Sequence, residues 1–216
     1  MPTILLVHGY HRTAASLEPM AMQLRKHGYT VLTPNLPTTK ERLGTCVHCL
    51  ETYLDQQDFE LLPKPLHLLG HSYGGLILRG LLARRSLPYL ASLSCLGSSH
   101  LGTRAANLIC LLGASIREKA VLEFRTPGPI IAEPQQGWPS VVHLIAGSVR
   151  NDLRAGLFMP RPNDGRLPVS SALAQNHDSS VVQFPTWTKR TILPLDHHQL
   201  EYHPDVILAL LHGIDH

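Results

Sequence analysis

Apolar residues along the chain fall into two kinds of grouping: short unbroken runs, and longer stretches in which they recur three or four residues apart. Thr3-Ile4-Leu5-Leu6-Val7 is of the first kind, and a strand apolar on both faces belongs inside a parallel sheet covered by helices. Helical spacing follows from Ala14 to His27, with Leu17, Met20, Ala21 and Leu24 on one face and Gly28 closing it. Tyr29 to Pro34 predicts a second strand, and Lys40 to Gln57 a helix whose inner face carries Leu43, Val47, Leu50 and Leu54. Leu66-His67-Leu68-Leu69 predicts a third strand that runs almost directly into a helix from Tyr73 to about Arg85. Leu90 to Leu96 reads as a fourth strand, the stretch from there to about Arg125 as helical, and Thr126 to Pro139 as a Pro/Gly-rich excursion. Val141 to Gly147 and Lys189 to Leu195 predict the last two strands, and Pro204 to Gly213 a closing helix. Strands alternating with helices predict an α/β fold, a three-layer α/β/α sandwich on a mostly parallel sheet of about six strands with right-handed crossovers. No repeat or linker divides the chain, so a single domain over 1–216 is expected, with a short excursion around 104–139.

Composition narrows the function classes. A chain of 216 residues can bury one core without covalent staples. The formal net charge is +3 and no run of Lys or Arg is present, which argues against nucleic-acid partners and polybasic membrane binding. Cys46 and Cys49 lie three apart in a helical pattern with no second Cys-x-x-Cys to match, and Cys95 and Cys110 stand alone. Free thiols are therefore expected, not a zinc site or a disulfide framework. Met1-Pro2-Thr3 leads straight into the first strand without a charged leader, and no apolar stretch reaches the ~20 residues of a bilayer span. The expectation is a soluble, cytoplasmic protein, although a processed secreted form would have the same sequence.

Candidate chemistry concentrates where strands end. In Gly70-His71-Ser72-Tyr73-Gly74-Gly75 a buried strand turns abruptly into a helix. Such a turn strains the backbone of Ser72 and is feasible only if small residues on either side let strand and helix pack closely. It leaves the Ser72 hydroxyl clear at the strand tip and the Tyr73 N–H free at a helix start to donate toward an anion. A serine hydroxyl is a poor nucleophile near neutral pH, so it needs a base, a group to orient the base, and a second donor for the oxyanion. Asn163-Asp164-Gly165 followed by Leu167-Pro168-Val169 presents a carboxylate on a turn as the chain returns to the core, and makes Asp164 the preferred orienter; Asp152, nearer the end of the fifth strand, is its rival. The loop after the sixth strand holds His197, His198 and His203 as candidate bases. The adjacent pair suits no common zinc spacing. After the first strand, His8-Gly9-Tyr10 offers a close backbone approach at Gly9 and the Tyr10 N–H as the second donor.

With these residues in place the sequence resembles the small serine lipases and esterases of the α/β-hydrolase fold, particularly the bacterial triacylglycerol-lipase-like and minimal members, over nearly its whole length. His8-Gly9-Tyr10 is similar to the oxyanion motif of that family, Gly70 to Gly75 to its nucleophile elbow, and Asn163-Asp164-Gly165 with Leu167 to Ser171 to its catalytic-acid loop. Gly97 to Thr103 is similar to its Pro-His-x-Gly-Ser/Thr segment, with Ser99 in the place of the proline. His197-x-x-Leu200 followed by His203-Pro204-Asp205-Val206 is similar to the family's ending, and that spacing selects His197 over His198. The resemblance implies a Ser72–Asp164–His197 triad in the family's chain order, an oxyanion hole of the Tyr10 and Tyr73 N–H groups, no metal or organic cofactor, and a small-molecule or lipid ester as substrate. The apolar residues Ile109, Leu111, Leu112, Val121, Leu122 and Phe124 suggest either an acyl pocket or plain core and helix-packing positions. The same fold and triad serve thioesterases, acyltransferases, cofactor-free lyases and haloperoxidases, and the fold alone serves non-catalytic binding proteins.

Overall fold

The six β-type runs all form strands and lie in one parallel sheet of order β2-β1-β3-β4-β5-β6: β1 (Thr3–Val7), β2 (Thr30–Leu32), β3 (Leu66–His71), β4 (Leu90–Leu96), β5 (Val141–Gly147) and β6 (Lys189–Leu193). This computed structural model describes residues 1–58, 61–113, 117–149, 160–175 and 183–214. The helices are α1 (Glu18–Lys26), α2 (Leu43–Asp55), α3 (Tyr73–Arg84), α4 (Arg104–Leu111), α5 (Val169–Ala172) and α6 (Pro204–Ile214).

Alternation within the buried strands sorts the core into two layers. On β1, Leu5 and Val7 join the cluster that holds α2 and α3 residues such as Leu50, Leu76 and Leu81. Ile4 and Leu6 join the opposite cluster with Met20 and Leu24 of α1 and Val206 and Leu210 of α6. A period of two therefore feeds both faces of the sheet, and each face is sealed by helices. The edge strands differ from the centre: β2 pairs with β1 over only three residues, and β6 begins with exposed Lys189 and Arg190, charges that discourage pairing with another chain.

Several boundaries are tighter than the sequence pattern predicts. The second strand stops at Leu32, not Pro34; Pro34 has no N–H to give a ladder. α2 starts at Leu43, after an extended Arg42. The helical pattern toward Arg125 breaks into α4, whose Ala105 N–H is capped by the Thr103 hydroxyl, and a 3-10 turn over Lys119–Phe124. Gly113 at φ 86° ends the first piece, a left-handed residue that a continuing helix does not accommodate. Leu195 is left outside β6.

In this topology the loops leaving β1, β3, β4, β5 and β6 open at one end of the sheet, beyond the strand carboxyl ends, where ligands bind in open α/β sheets.

Candidate active site

Ser72 occupies the turn between β3 and α3 with φ 54° and ψ −117°, a conformation costing about 1–3 kcal/mol that persists only when its surroundings enforce it. Two features enforce it. The Ser72 N–H donates to the Leu96 carbonyl of β4 at 2.7 Å, and the elbow closes without room for side chains: a Cβ on Gly70 would sit 2.5 Å from the Gly75 nitrogen, and one on Gly74 would run into the Val7 carbonyl of β1. The strain expected from the sequence is thus present, together with the packing that makes it tolerable. Tyr73 is the first residue of α3, so its N–H has no partner within the helix.

The loop after β1 comes up against this turn. A Cβ on Gly9 would lie 2.9 Å from Ser72 Cβ and 3.2 Å from the His71 carbonyl, so glycine is what allows the approach. His8 anchors the loop from below: its Nδ1 donates to the Gly9 carbonyl at 3.0 Å while Nε2 accepts from the Leu36 N–H at 3.0 Å. Burial holds this imidazole below its ordinary pKa, consistent with the neutral ring those bonds require. The Thr38 hydroxyl and the Arg12 N–H also donate to the Gly9 oxygen, at 2.9 and 3.3 Å. With that carbonyl fixed, a trans peptide turns the Tyr10 N–H to the opposite side. The Tyr10 hydroxyl donates to Glu118. Burial first, then Glu118, raises the pKa of that phenol.

Asp164 is 2 % exposed, and both its oxygens are occupied. Oδ1 accepts from the backbone N–H groups of Arg166 and Leu167 at 2.9 and 2.7 Å. Oδ2 lies 2.7 Å from His197 Nδ1. The His197 backbone N–H also donates to the Asp164 carbonyl at 2.9 Å, so the two loops are tied by backbone and side chain alike. The turn is built locally, since Asn163 Oδ1 accepts from Gly165 N–H at 3.0 Å and Gly165 sits at φ 89°. Asp152 lies outside the described residues. The adjacent histidine rings diverge: His197 is buried against Asp164, whereas His198 is exposed and accepts from the Arg12 guanidinium.

One group of side chains here was missed in the sequence. Behind His197, the fully enclosed His71 donates through Nε2 to the His197 carbonyl at 3.0 Å. Its Nδ1 faces Glu201 Oε1 at 3.2 Å, a close approach that does not align as a hydrogen bond. Burial, reinforced by His197, pushes the His71 pKa well below the ordinary value, so the ring is neutral. Glu201 Oε1 also accepts from Arg12 Nε at 2.9 Å; burial raises the pKa of this carboxyl, and Arg12 opposes the rise. Arg12 and Glu201 are 189 residues apart in sequence, and no local pattern links them.

Ser72, His197, Tyr10, Arg12, Arg166, His198 and Glu201 open onto one cleft of about 350 Å³, whose apolar wall includes Ala106, Ile109, Val121 and Phe124. Of the six residues suggested for an acyl pocket, Ile109, Val121 and Phe124 therefore line the cleft. Leu111 and Leu112 instead point to solvent, 84 % and 80 % exposed, because α4 turns its other face inward. Cys46 and Cys95 are buried, Cys49 and Cys110 half-buried, and all four are free thiols. Among the described residues no cluster of metal-ligating side chains occurs, and no helix is long and apolar enough to cross a membrane.

No curated protein sequence is significantly similar to the chain. Solved structures do match its fold. The mature form of a Bacillus licheniformis lipase superposes with a TM-score of 0.74 at 19 % identity, covering 97 % of this chain and 90 % of that one. An esterase from Exiguobacterium antarcticum gives 0.68 at 12 % identity, over 100 % and 92 %. A pyrethroid hydrolase from Sphingobium faniae gives 0.62 at 15 % identity, over 99 % and 97 %. The sequence profile of the alpha/beta hydrolase family matches residues 4–210. With that match spanning nearly the entire chain on a six-stranded parallel sheet, the protein belongs to the alpha/beta hydrolase family.

Proposed function

We propose that this hydrolase cleaves carboxylic esters through an acyl-enzyme on Ser72. The observation that carries the reading is the convergence on one half-apolar cleft of a strained, half-buried serine and a buried His197–Asp164 pair 2.7 Å apart. In this reading His197 Nε2 takes the Ser72 proton as Oγ bonds to the acyl carbon. Asp164, bonded at Nδ1, keeps Nε2 as the free acceptor and stabilises the imidazolium that forms. The Tyr10 and Tyr73 N–H groups receive the oxyanion. Collapse breaks the C–O bond, and the leaving alcohol departs with the proton from His197. Water then gives a proton to His197 and adds to the acyl carbon, and the second collapse returns the carboxylic acid and free Ser72. The names of similar structures, a lipase, an esterase and a pyrethroid hydrolase, are consistent with ester hydrolysis. Turnover of p-nitrophenyl butyrate by the wild type, reduced about 10³-fold or more in Ser72→Ala, is the expected result. Equal turnover by both proteins would refute it.

A further inference from the structure

The cleft has two chemically different walls. One belongs to the α2/α3 side of the sheet: Ala106 and Ile109 of α4, with Val121 and Phe124 of the following 3-10 turn. Phe124 packs on the Tyr73 ring at 5.0 Å. The other wall is polar, formed by Arg12, Arg166, His198 and Glu201 around His197. His197 is the group that hands a proton to the leaving oxygen in the mechanism above. The leaving alcohol therefore departs along the polar wall, and the acyl chain is left for the apolar one.

The accessible charge around the mouth is positive. The nearby carboxylates are each engaged: Asp164 by His197 and two N–H groups, Glu201 by Arg12, Asp196 by the His198 and Gln199 N–H groups at 2.8 Å, Glu118 by the Tyr10 hydroxyl and by His11 at 3.2 Å, and Glu123 by the Leu43 N–H at 3.3 Å. Arg166 is exposed at the rim and makes no ion pair among the described residues, although its charge reaches Glu201. Both Arg166 and Arg12 act on His198, which burial first and then these two guanidinium groups make less basic than usual. Four more exposed cations, Arg104, Arg117, Lys119 and Arg125, flank the α4 wall, from which exposed Leu108, Leu111 and Leu112 extend the apolar surface outward.

We infer that the preferred substrate is an amphiphile, an apolar acyl chain esterified to an alcohol that carries an anionic group, with the anion held by Arg166 beside Arg12. The inference rests on the ester-hydrolase reading above. Carboxylate and phosphate share the required chemistry, and a planar guanidinium fork suits either.

The test uses the full-length protein and two matched pairs of esters. For carboxylate, 3-(octanoyloxy)-4-nitrobenzoate is compared with o-nitrophenyl octanoate; for phosphate, 1-octanoylglycerol 3-phosphate is compared with 1-octanoylglycerol. A kcat/KM ratio of roughly ten in favour of the anionic member is expected in at least one pair at low salt, the scale of two partly exposed charge pairs, and the pair that shows it identifies the anion. That ratio should fall several-fold in Arg166→Met and, independently of any variant, in the wild type at about 0.5 M NaCl, where surface charges are screened within a few ångströms. Turnover with ratios at or below one in both pairs, or a ratio that neither salt nor Arg166→Met changes, overturns the inference and leaves the hydrolase reading standing. Absence of turnover of all four esters overturns the hydrolase reading itself.

Discussion

Replacing Asp164 by Asn is the most informative single-atom change at this site. The two loop N–H groups of Arg166 and Leu167 converge on Oδ1, so the amide oxygen of Asn has to occupy that position. Rotating the amide the other way would set an NH2 against two N–H donors and cost both bonds, about 1–3 kcal/mol. The NH2 is therefore forced into the Oδ2 position, 2.7 Å from His197 Nδ1. Facing a donor, Nδ1 must accept, and the imidazole proton moves to Nε2, the nitrogen proposed to take the Ser72 proton. The fold is kept, with a stability loss of under about 2 kcal/mol, but the base is held in the wrong tautomer. By analogy with the same exchange in other serine hydrolases, kcat should fall about 10⁴-fold. The assay is p-nitrophenyl butyrate hydrolysis on protein whose urea midpoint has been measured in parallel. A loss below tenfold in folded protein, or a greater loss in Asp152→Asn than in Asp164→Asn, would refute the assignment.

Two further outcomes follow from buried titratable groups. Burial holds His71 and His100 well below the ordinary histidine pKa, and burial with help from Lys189 brings His143 down to about 4. These rings are neutral in the native protein but take up a proton when unfolded, so their contribution is whole above pH 6.5 and is lost as pH falls below it, for His143 by about 3 kcal/mol at pH 4. Urea midpoints should drop steeply between pH 6.5 and 5, and a flat profile would count against neutral buried rings. Glu201→Ala leaves the Arg12 guanidinium without its carboxylate and should destabilise by about 1–3 kcal/mol; an unchanged midpoint would mean that the Arg12–Glu201 pair does not brace the His197 loop.

Much of this site was legible because its parts are local. The elbow is a contiguous pattern, since strand, turn and helix must follow one another within a few residues, and the same holds for the Asn163-Asp164-Gly165 turn and for Gly9 after β1. Element types were legible for the same reason, through continuous apolar runs and helical spacing. Termini were less so: whether a helix runs on through Gly113 depends on one residue's φ, and whether Leu195 joins a strand depends on a neighbour that an edge position supplies only in part. The inward face of α4 was equally hidden, because Leu111 and Leu112 have the same apolarity as Ile109 and only the packing decides which of them meets the cleft. The Arg12–Glu201–His71 group could not be read at all, for it is assembled from two loops and the last residue of β3, which only the folded sheet brings together.

Whether Ser72 is an activated nucleophile is answered by covalent labelling. A fluorophosphonate loses fluoride to an activated serine and leaves a phosphonyl adduct whose site can be mapped by peptide mass. One adduct per chain is expected, on Ser72, formed slowly or not at all in His197→Ala and absent from Ser72→Ala. An unlabelled wild-type protein, or an adduct carried by another serine, would contradict the assignment of Ser72.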